Sequence, residues 1–289
     1  EPAEAMHCAL EVALTVERFP FLDSHRLAGR GVLPMAMIIE WMGHAALHAN
    51  PGLRFVGIDD LAVLKGVTVT GSESVSIRFL VSEARPLEGG VLEMDVELRG
   101  SGGLHARGRV RLSSELPAAP VLKPAEGLAA EPFPFDISTL YDTRLFHGPL
   151  FHAFRAIEGS SPRGLRAELS PAPRPSKWMT SPLRSDWIAD PLVLDGGLQM
   201  GLAWCFAQLG LPSLPTRAAR YRQFVARFPK KGVQAWLDVH AQTRRSFSGD
   251  LCFADANGKL VARLEGIEFA ADSSLASSFE QGRPQKTHR

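Results

Sequence analysis

Two segments of the chain are apolar along nearly their whole length, so a helix formed by either one must be buried on every side. The first is MAMIIEWMGHAALHA, from about Met35 to Ala49, and the helix-stop residues Asn-Pro-Gly close it. The second is DPLVLDGGLQMGLAWCFAQLG, residues 190–210, and Gly210 and Pro212 end it. Each predicted helix therefore needs a surrounding wall, which the neighbouring segments have to supply.

Strand-like runs surround each helical segment in a recurring order. CALEVALTV precedes the first helix, and RFVGIDDLAVLKGVTV, SVSIRFLVSEA, VLEMDVELRG and LHARGRVRL follow it. FHAFRAIEGS and GLRAELSP precede the second helix. RAARYRQFVARF, VQAWLDVHAQTRR, FSGDLCFADANGKL and VARLEGIEFA follow it, with a hairpin turn at DANG. We therefore predict an α+β fold of two tandem hotdog units, a double hotdog, in which a curved antiparallel sheet wraps each long central helix.

A Pro- and Ala-rich stretch without periodicity, SELPAAPVLKPAEGLAAEPFP, separates the two halves. We predict an N-terminal hotdog at residues 1–115, a linker at 116–134, a C-terminal hotdog at 135–275 and a polar tail at 276–289. The chain starts at Glu rather than Met, which is consistent with a domain of a longer polypeptide.

Charge and cysteine content narrow the range of functions. The 32 Lys and Arg residues nearly balance the 31 Asp and Glu residues, which argues against nucleic acid as the main partner. The three cysteines are far apart and form no disulfide framework, which fits a reducing cytoplasm. No signal peptide and no apolar run of about 18 residues is present, so we predict no membrane association.

Basic residues cluster in RAARYRQFVARFPKK, residues 217–231. A solvated strand edge is the ordinary explanation of such a cluster. An anion-binding surface for a partner that carries phosphopantetheine is the alternative.

His25 lies on a Gly-punctuated turn immediately before the first helix, in HRLAGRGVLP. Gly29 permits a tight turn and a close approach by a ligand, and Pro34 is well placed to open the helix. The helix start offers unpaired N–H groups to a developing negative charge. A histidine base beside such donors suits proton abstraction next to a carbonyl, and a histidine that merely caps the turn is an equally simple interpretation.

Asp195 and Gln199 are four residues apart, on one face of the second helix near its start. The apolar neighbours of Asp195 desolvate its carboxyl group and so favour the protonated form. That form can donate a proton to a departing hydroxyl while Gln199 orients it. A helix-capping aspartate is the plainer alternative.

The segment LFHGPLFH, residues 145–152, gathers two imidazoles and two phenylalanines around a Gly-Pro turn. Either these residues line a pocket, or the phenylalanines are a core edge and the histidines are exposed. His44 and His48 have a metal-compatible spacing, but no third ligand is evident, so we predict no metal site. No Gly-rich phosphate loop is present either, which argues against nucleotide binding.

The order and separation of these elements resemble those of polyketide synthase dehydratase domains. The matching motifs are His25-x3-Gly29-x4-Pro34, a Gly148-Pro149-x-Phe151 element and Asp195-x3-Gln199. The resemblance covers nearly the whole chain and implies that His25 is a base that removes the α-proton of a β-hydroxyacyl thioester. It further implies that Asp195 protonates the leaving hydroxyl and that Gln199 holds Asp195. The residues that it implies shape the substrate site are Gly29, Pro34, His147, Gly148, Pro149 and Phe151.

This resemblance also implies a product and a set of partners. The product is a trans, less often cis, α,β-enoyl thioester plus water, formed without a metal or redox cofactor. The substrate is carried on the phosphopantetheine arm of an acyl carrier protein, and the partners are that protein and neighbouring synthase domains. A homodimer is plausible, because hotdog sheets often pair.

Three positions depart from the modular members of this family. His147 stands where they usually have Tyr, Met35 where they often have Gly, and Asp190-Pro191 where they tend to have His-Pro. The chain is more similar in these motifs to dehydratases of iterative synthases, of the polyunsaturated-fatty-acid or enediyne kind. The alternatives are an isomerase or thioesterase on the same scaffold, or a non-catalytic domain that binds acyl chains.

Overall fold

Two long helices are each covered by strands of one large antiparallel sheet in the computed structural model, which describes residues 5–121 and 123–283. The α-helices in these ranges are α1 (Met35–Ala49), α2 (Ile137–Thr143), α3 (Pro191–Leu209) and α4 (Leu275–Gly282). The strands are β1 (His7–Leu14), β2 (Arg26–Leu27), β3 (Arg30–Val32), β4 (Arg54–Val63), β5 (Thr68–Val69), β6 (Val75–Val81), β7 (Arg85–Pro86), β8 (Val91–Gly100), β9 (Gly103–Ser113), β10 (Phe154–Ser161), β11 (Gly164–Leu169), β12 (Ser213–Gln223), β13 (Val233–Gln242), β14 (Ser246–Ala254) and β15 (Leu260–Ala271). The two apolar segments are thus helical, as predicted.

The large sheet runs without interruption from one half of the chain to the other. Its strand order is β1-β6-β8-β9-β4 in the first half and β12-β15-β14-β13-β11-β10 in the second, and β7 pairs with β8. The halves join where β4 and β12 pair antiparallel, with Ile58 opposite Tyr221. A separate small sheet contains β2, β3 and β5. The sheet therefore covers one helix in each half, as predicted, and the two parts of the sheet join at the β4–β12 pair.

The basic segment at residues 217–231 does not begin at a sheet edge. Strand β12 has β4 on one side and β15 on the other, so the expected solvated strand edge is wrong. Its arginines pair with acidic residues of neighbouring strands: Arg222 lies 2.6 Å from Asp59, and Arg220 lies 3.4 Å from Glu265. The positive charge in this strand is therefore largely neutralised within the sheet.

Helix α3 is buried from Pro191 to Cys205, and glycines let the wall approach it closely. A Cβ atom added to Gly197 would collide with the ring of Phe253, and one added to Gly201 would collide with the ring of Phe269. The close-packed interior leaves no room for such a methyl group. This contact explains why an apolar core helix carries several residues without side chains.

The C-terminal segment is not simply a polar tail. Residues 275–282 form α4, and its Phe279 is fully buried with its ring 4.7 Å from that of Phe146. The backbone N–H of Ala28 donates to the Ser278 carbonyl at 2.9 Å, and Arg283 donates to the Leu145 carbonyl at 3.0 Å. One apolar side chain in a polar stretch thus anchors α4 across segments from both halves. Residues 284–289 of the predicted tail lie outside the described residues.

The predicted linker at 116–134 falls between the end of β9 at Ser113 and the start of α2 at Ile137. Within it, Glu131 forms an isolated β-bridge with Ser160, and Leu128 is buried. Residue 122 of this linker lies outside the described part. No helix in the described ranges is long and apolar enough to span a membrane.

Candidate active site

A cavity of about 220 Å³ lies between the two halves of the molecule. Its walls combine the small sheet, the start of α1, the end of β4 and the loop after it, the segment after α2, one face of α3 and the start of β12. The lining residues include His25, Val32, Leu33, Met35, Lys65, Phe146, His147, Asp195, Leu198, Gln199 and Leu202. The imidazole, carboxyl and amide groups thus lie at one end of a mostly apolar space.

His25 is a buried histidine whose two ring nitrogens have different surroundings. Its Nδ1 lies 2.8 Å from the carbonyl oxygen of Val32. Because a carbonyl oxygen only accepts, Nδ1 carries the hydrogen and Nε2 keeps a free lone pair. Burial lowers the pKa of His25 to about 4, against the opposing effect of Asp195. His25 is therefore a neutral base at neutral pH.

The turn after His25 is a two-residue hairpin loop between β2 and β3. Ala28 and Gly29 both have positive φ, of 49° and 74°, as a type I′ turn requires. A Cβ atom on Gly29 would meet no atom within 4 Å, so this glycine serves the turn rather than a close approach. Pro34 precedes α1 as its N-cap residue in an extended conformation. Neither Gly29 nor Pro34 lines the cavity.

Asp195 reaches His25 from the other half of the chain. Its carboxyl group is only 3% exposed, and its Oδ1 lies 4.0 Å from His25 Nε2. The cap of α3 is a different residue, Asp190, which accepts hydrogen bonds from the N–H groups of Leu192 and Val193. Asp195 therefore has no capping role and faces the cavity.

Gln199 is one link in a chain of hydrogen bonds behind Asp195. Its side-chain NH₂ donates to Asp195 Oδ2 at 2.7 Å and to the carbonyl of Phe151 at 2.8 Å. The hydroxyl of Tyr141 donates to Gln199 Oε1 at 2.8 Å and accepts from the backbone N–H groups of Ala153 and Phe154. With every polar atom of the amide bonded, the orientation of Gln199 is fixed, and so is the carboxyl group that it holds.

The ionisation of Asp195 differs from the expectation that burial favours its protonated form. Burial does raise the pKa of this carboxyl, but His147, His25 and the hydrogen bond from Gln199 together lower it below its ordinary value. The sequence shows the apolar neighbours of Asp195 on its own helix, whereas the opposing groups lie mainly on other elements. Asp195 is therefore a stronger acid than its burial alone would make it.

The segment of residues 145–152 packs directly on the His25 turn. His147 is 3% exposed, its backbone bridges that of His25, and its Nε2 lies 3.3 Å from Asp195 Oδ2. The N–H of Gly148 donates to the carbonyl of Ser24 at 2.8 Å, and a Cβ atom on Gly148 would lie 2.9 Å from the Ser24 Cα. A side chain at this position would therefore push the two segments apart.

The predicted substrate-site residues divide into two groups. Of this set, His147 lines the cavity. The residues of the set outside the cavity lining are Gly29, Pro34, Gly148, Pro149 and Phe151. They shape the backbone around the site instead. Phe146, from the segment of residues 145–152, also lines the cavity, which agrees with the pocket-lining alternative for that segment. Tyr141 and Lys65 belong to the site or its support as well, and no local motif in the sequence marks them.

His25, His147 and Asp195 also form the kind of cluster that can hold a metal ion, with ligand atoms all within 4.8 Å of one another. Around a zinc ion with bonds of about 2.0–2.1 Å, two ligand atoms are at most about 4.2 Å apart, so this cluster would have to contract. A base and an acid at this separation can perform elimination without an ion. The absence of a metal cofactor stays a prediction.

Two matches to known families cover most of the chain. Residues 121–278 match the family described as polyketide synthase dehydratase N-terminal domain, and residues 2–97 match the one described as polyketide synthase dehydratase domain. The chain belongs to the polyketide synthase dehydratase family. As a dehydratase domain, it is a hydro-lyase by family, which agrees with an acid and a base at one cavity.

This dehydratase domain is similar to segments of two much longer proteins. It is 33% identical over 210 residues to one of the polyunsaturated fatty acid synthase subunits from Thraustochytrium sp., which covers 70% of the chain and 7% of that protein. It is 25% identical over 290 residues to a polyketide synthase–nonribosomal peptide synthetase hybrid from Aspergillus japonicus, covering 88% of the chain and 7% of that protein. The chain thus spans about 7% of the length of the curated relatives that it matches.

Solved dehydratase structures share the fold. A trans-AT polyketide synthase dehydratase domain from Brevibacillus brevis matches with a TM-score of 0.70 and 20% identity, over 91% of this chain and 93% of that one. The dehydratase domain of PpsC from Mycobacterium tuberculosis, in complex with C12:1-CoA, matches with a TM-score of 0.67 and 19% identity, over 91% and 92%. The prediction of a double hotdog is therefore confirmed.

Proposed function

We propose that this domain is a 3-hydroxyacyl-[acyl-carrier-protein] dehydratase, which removes water from a β-hydroxyacyl thioester carried on a phosphopantetheine arm. The supporting observation is that His25 Nε2 and Asp195 Oδ1 lie 4.0 Å apart in a buried cavity, although they come from different halves. Each group can thus reach one end of the same three-carbon unit. The long acyl thioester in the complex of the Mycobacterium tuberculosis dehydratase supports this substrate class.

The reaction needs a base at C2 and an acid at the C3 oxygen. His25 Nε2 takes the C2 proton, the electron pair of the C2–H bond forms the C2=C3 double bond, and the C3–O bond breaks. Asp195 gives its proton to the departing oxygen, which leaves as water. Hydroxide alone is a poor leaving group, so the protonation by Asp195 is essential. His25 is neutral, as the first step requires. Because the pKa of Asp195 is lowered, this carboxyl has to take up a proton before it can act as the acid in the second step.

One turnover leaves His25 protonated and Asp195 ionised. The resting state returns when the proton moves from His25 Nε2 to the Asp195 carboxylate, whose Oδ1 lies 4.0 Å away. The enzyme thereby regains both protonation states without an external acid. Each of the two groups is expected to contribute roughly 10²–10⁴-fold in rate.

The similarity to part of a fatty acid synthase supports the proposal that this domain serves an iterative, polyunsaturated-fatty-acid type of synthase. Its partners are then an acyl carrier protein and the neighbouring domains of that synthase, in the cytoplasm. No cofactor beyond the phosphopantetheine arm of the carrier protein takes part in this scheme. Homodimerisation stays a prediction, which sedimentation velocity tests.

Removing either reacting group tests the function. A β-hydroxyacyl thioester on carrier protein or pantetheine is supplied, and the mass of the acyl group is followed. We expect the wild type to remove one water, and His25→Ala and Asp195→Asn each to lower kcat at least about 100-fold. The reverse reaction, hydration of an enoyl thioester, is expected in the wild type as well.

His240, which lies 3.4 Å from Asp250, supplies a control outside the cavity, because this histidine is half exposed in β13. His240→Ala should retain full activity. Release of a free acid would indicate a thioesterase, and a shifted double bond an isomerase. An unchanged substrate would indicate a non-catalytic acyl-binding domain, and full activity in either cavity variant would contradict the assigned roles.

A further inference from the structure

His147 is a third ionisable group in the cavity, and the elimination described above does not use it. It is 3% exposed, and its Nε2 lies 3.3 Å from Asp195 Oδ2, at the long end of the hydrogen-bonding range. Its other nitrogen, Nδ1, is buried and has no hydrogen-bond partner among the described residues. The two ring nitrogens are thus unequal, and their difference decides the state of the ring.

A hydrogen on Nδ1 would be buried without an acceptor. The imidazolium form and the neutral form protonated at Nδ1 both carry such a hydrogen and bear its desolvation cost. The neutral form protonated at Nε2 avoids it, because Nδ1 then holds only a lone pair. In this form the hydrogen is on Nε2, the ring nitrogen that lies 3.3 Å from Asp195 Oδ2.

Asp195 Oδ2 therefore receives two donors. Gln199 donates to it at 2.7 Å from one side, and His147 approaches it at 3.3 Å from another. The second oxygen, Oδ1, receives neither and faces His25 Nε2. A carboxyl oxygen that accepts one hydrogen bond and lies beside a second N–H donor is the less favourable place for a proton, so the proton of the acid belongs on Oδ1.

We propose that His147 is a positioning residue, which acts through Asp195 by occupying Oδ2 and so keeping the transferable proton on Oδ1, beside the substrate. This proposal rests on the proposed function, because it concerns the acid of that reaction. His147 itself gives no proton to the substrate. The groups facing the acid are His25, His147 and Gln199, with Tyr141 behind Gln199.

The ring of His147 is held firmly enough for this role. The ring of Phe146 stacks on it at 4.0 Å between centroids, and Phe146 in turn packs against Phe279 of α4. The backbone of His147 bridges that of His25, so the base and the positioning residue share one local frame. The lowered pKa of Asp195, to which His147 contributes, agrees with a donor at this oxygen.

A matched pair of variants tests the proposal. His147→Leu removes the donor at similar size, whereas His147→Gln keeps an N–H donor that cannot titrate. We expect kcat to fall roughly 10-fold or more in His147→Leu, with KM changed far less, and the pH limb governed by Asp195 to move up by about one unit. We expect His147→Gln to recover most of kcat and the wild-type limb. If His147→Leu does not fold, His147→Ala takes its place.

The carboxyl band of Asp195 in the infrared spectrum gives a readout that does not need turnover. Its disappearance in Asp195→Asn identifies the band, and its titration is followed in the wild type, His147→Leu and His147→Gln. We expect the band to persist to higher pH in His147→Leu only, and His240→Leu controls for the loss of a histidine elsewhere. A shift that follows His147 in a protein that removes no water would support the positioning role and refute the proposed function.

Two outcomes overturn the proposal while leaving the dehydratase function intact. If His147→Gln is as slow as His147→Leu, the imidazole itself carries a proton in the reaction. If the infrared titration and the pH limb are the same in all three proteins, His147 does not act through Asp195.

Discussion

The two nitrogens of the His25 ring have different roles: Nδ1 holds the ring in place, and Nε2 takes the proton from the substrate. The Val32 carbonyl fixes the hydrogen on Nδ1, so Nε2 faces Asp195 as a lone pair. Burial keeps this ring neutral far below the ordinary pKa of histidine. Because the ring is neutral at neutral pH, the Nε2 lone pair is available to take a proton from the substrate.

The burial of His25 makes the free energy of unfolding depend on pH. The folded His25 has a pKa of about 4, whereas an unfolded histidine has one of 6.5. Between these values the unfolded chain binds a proton that the folded chain does not, so stability falls as the pH falls through this window. We expect the slope of unfolding free energy against pH to be smaller in His25→Gln than in the wild type.

Denaturant unfolding between pH 4 and 6.5 measures that slope. The comparison with His25→Gln is needed because the pKa of His44 and that of His152 are lowered by burial too. Equal slopes in the two proteins, or an acid limb of kcat/KM near 6.5 in the wild type, would contradict a neutral buried base.

The residue types of the site could be predicted from the sequence, but their interactions could not. The spacing of Asp195 and Gln199 on one helix face is local, and their hydrogen bond follows from it. The contact of His147 with Asp195, and the support of Gln199 by Tyr141, join separate elements. Local patterns do not encode which distant residue will lie opposite a carboxyl group, so its ionisation was predicted wrongly.

At the scale of elements, α4 connects two segments that carry the site. Its Ser278 carbonyl accepts the N–H of Ala28 in the turn after β2, and Phe279 packs on Phe146 beside His147. The sequence predicted a tail here because the segment is polar apart from a few positions. Its buried Phe279 packs on the core, and hydrogen bonds to the Ser278 carbonyl and from Arg283 add to this contact.

Removing that side chain should affect catalysis as well as stability. We expect Phe279→Ala to lower the free energy of unfolding by about 3–5 kcal/mol, the usual result for a buried phenylalanine. We also expect a lower kcat at temperatures at which the variant is folded, because the packing behind His147 is lost. Thermal unfolding and steady-state kinetics measure the two effects.

Phe247→Ala provides the matched control, since this buried phenylalanine stacks on Phe269 between β14 and β15 of the large sheet and is not part of the cavity lining. It should lose similar stability and keep the kcat of the folded enzyme. An equal loss of kcat in both variants would show that α4 has no particular connection to the site.

The strands illustrate a second limit of sequence-based prediction. Alternating apolar residues located the strands and the helices, because those patterns are local. Which strands lie on either side of a given strand is not encoded in its local sequence. The arginines of β12 therefore favour a solvated edge when the sequence alone is considered. They lie in the middle of the sheet, where Asp59 and Glu265 neutralise them.

At the scale of the whole molecule, the two halves are connected by more than the β4–β12 strand pair. Glu40 of α1 is buried and accepts the backbone N–H groups of Ile188 at 3.0 Å and Ala189 at 2.6 Å. These residues lead directly into Asp190, the cap of α3. The core helix of the first half thus fixes the backbone segment that leads into the core helix of the second half.

Glu40→Ala would leave two buried N–H groups without acceptors. At about 1–3 kcal/mol for each, we expect a loss of about 2–6 kcal/mol in unfolding free energy. Glu88→Ala on the exposed turn before β8 should change it by less than about 0.5 kcal/mol. Chemical denaturation compares the two, and equal stabilities would show that Glu40 is dispensable for joining the halves.

The unbroken pairing of β4 with β12 limits how such a domain can be recombined. A chimera that exchanges only one half would contain one foreign strand of this pair. It would also combine the imidazole of one protein with the carboxylate of another, although each group is fitted to its own partner. The practical unit for transplanting a dehydratase of this kind into another assembly line is accordingly both halves with the terminal helix attached.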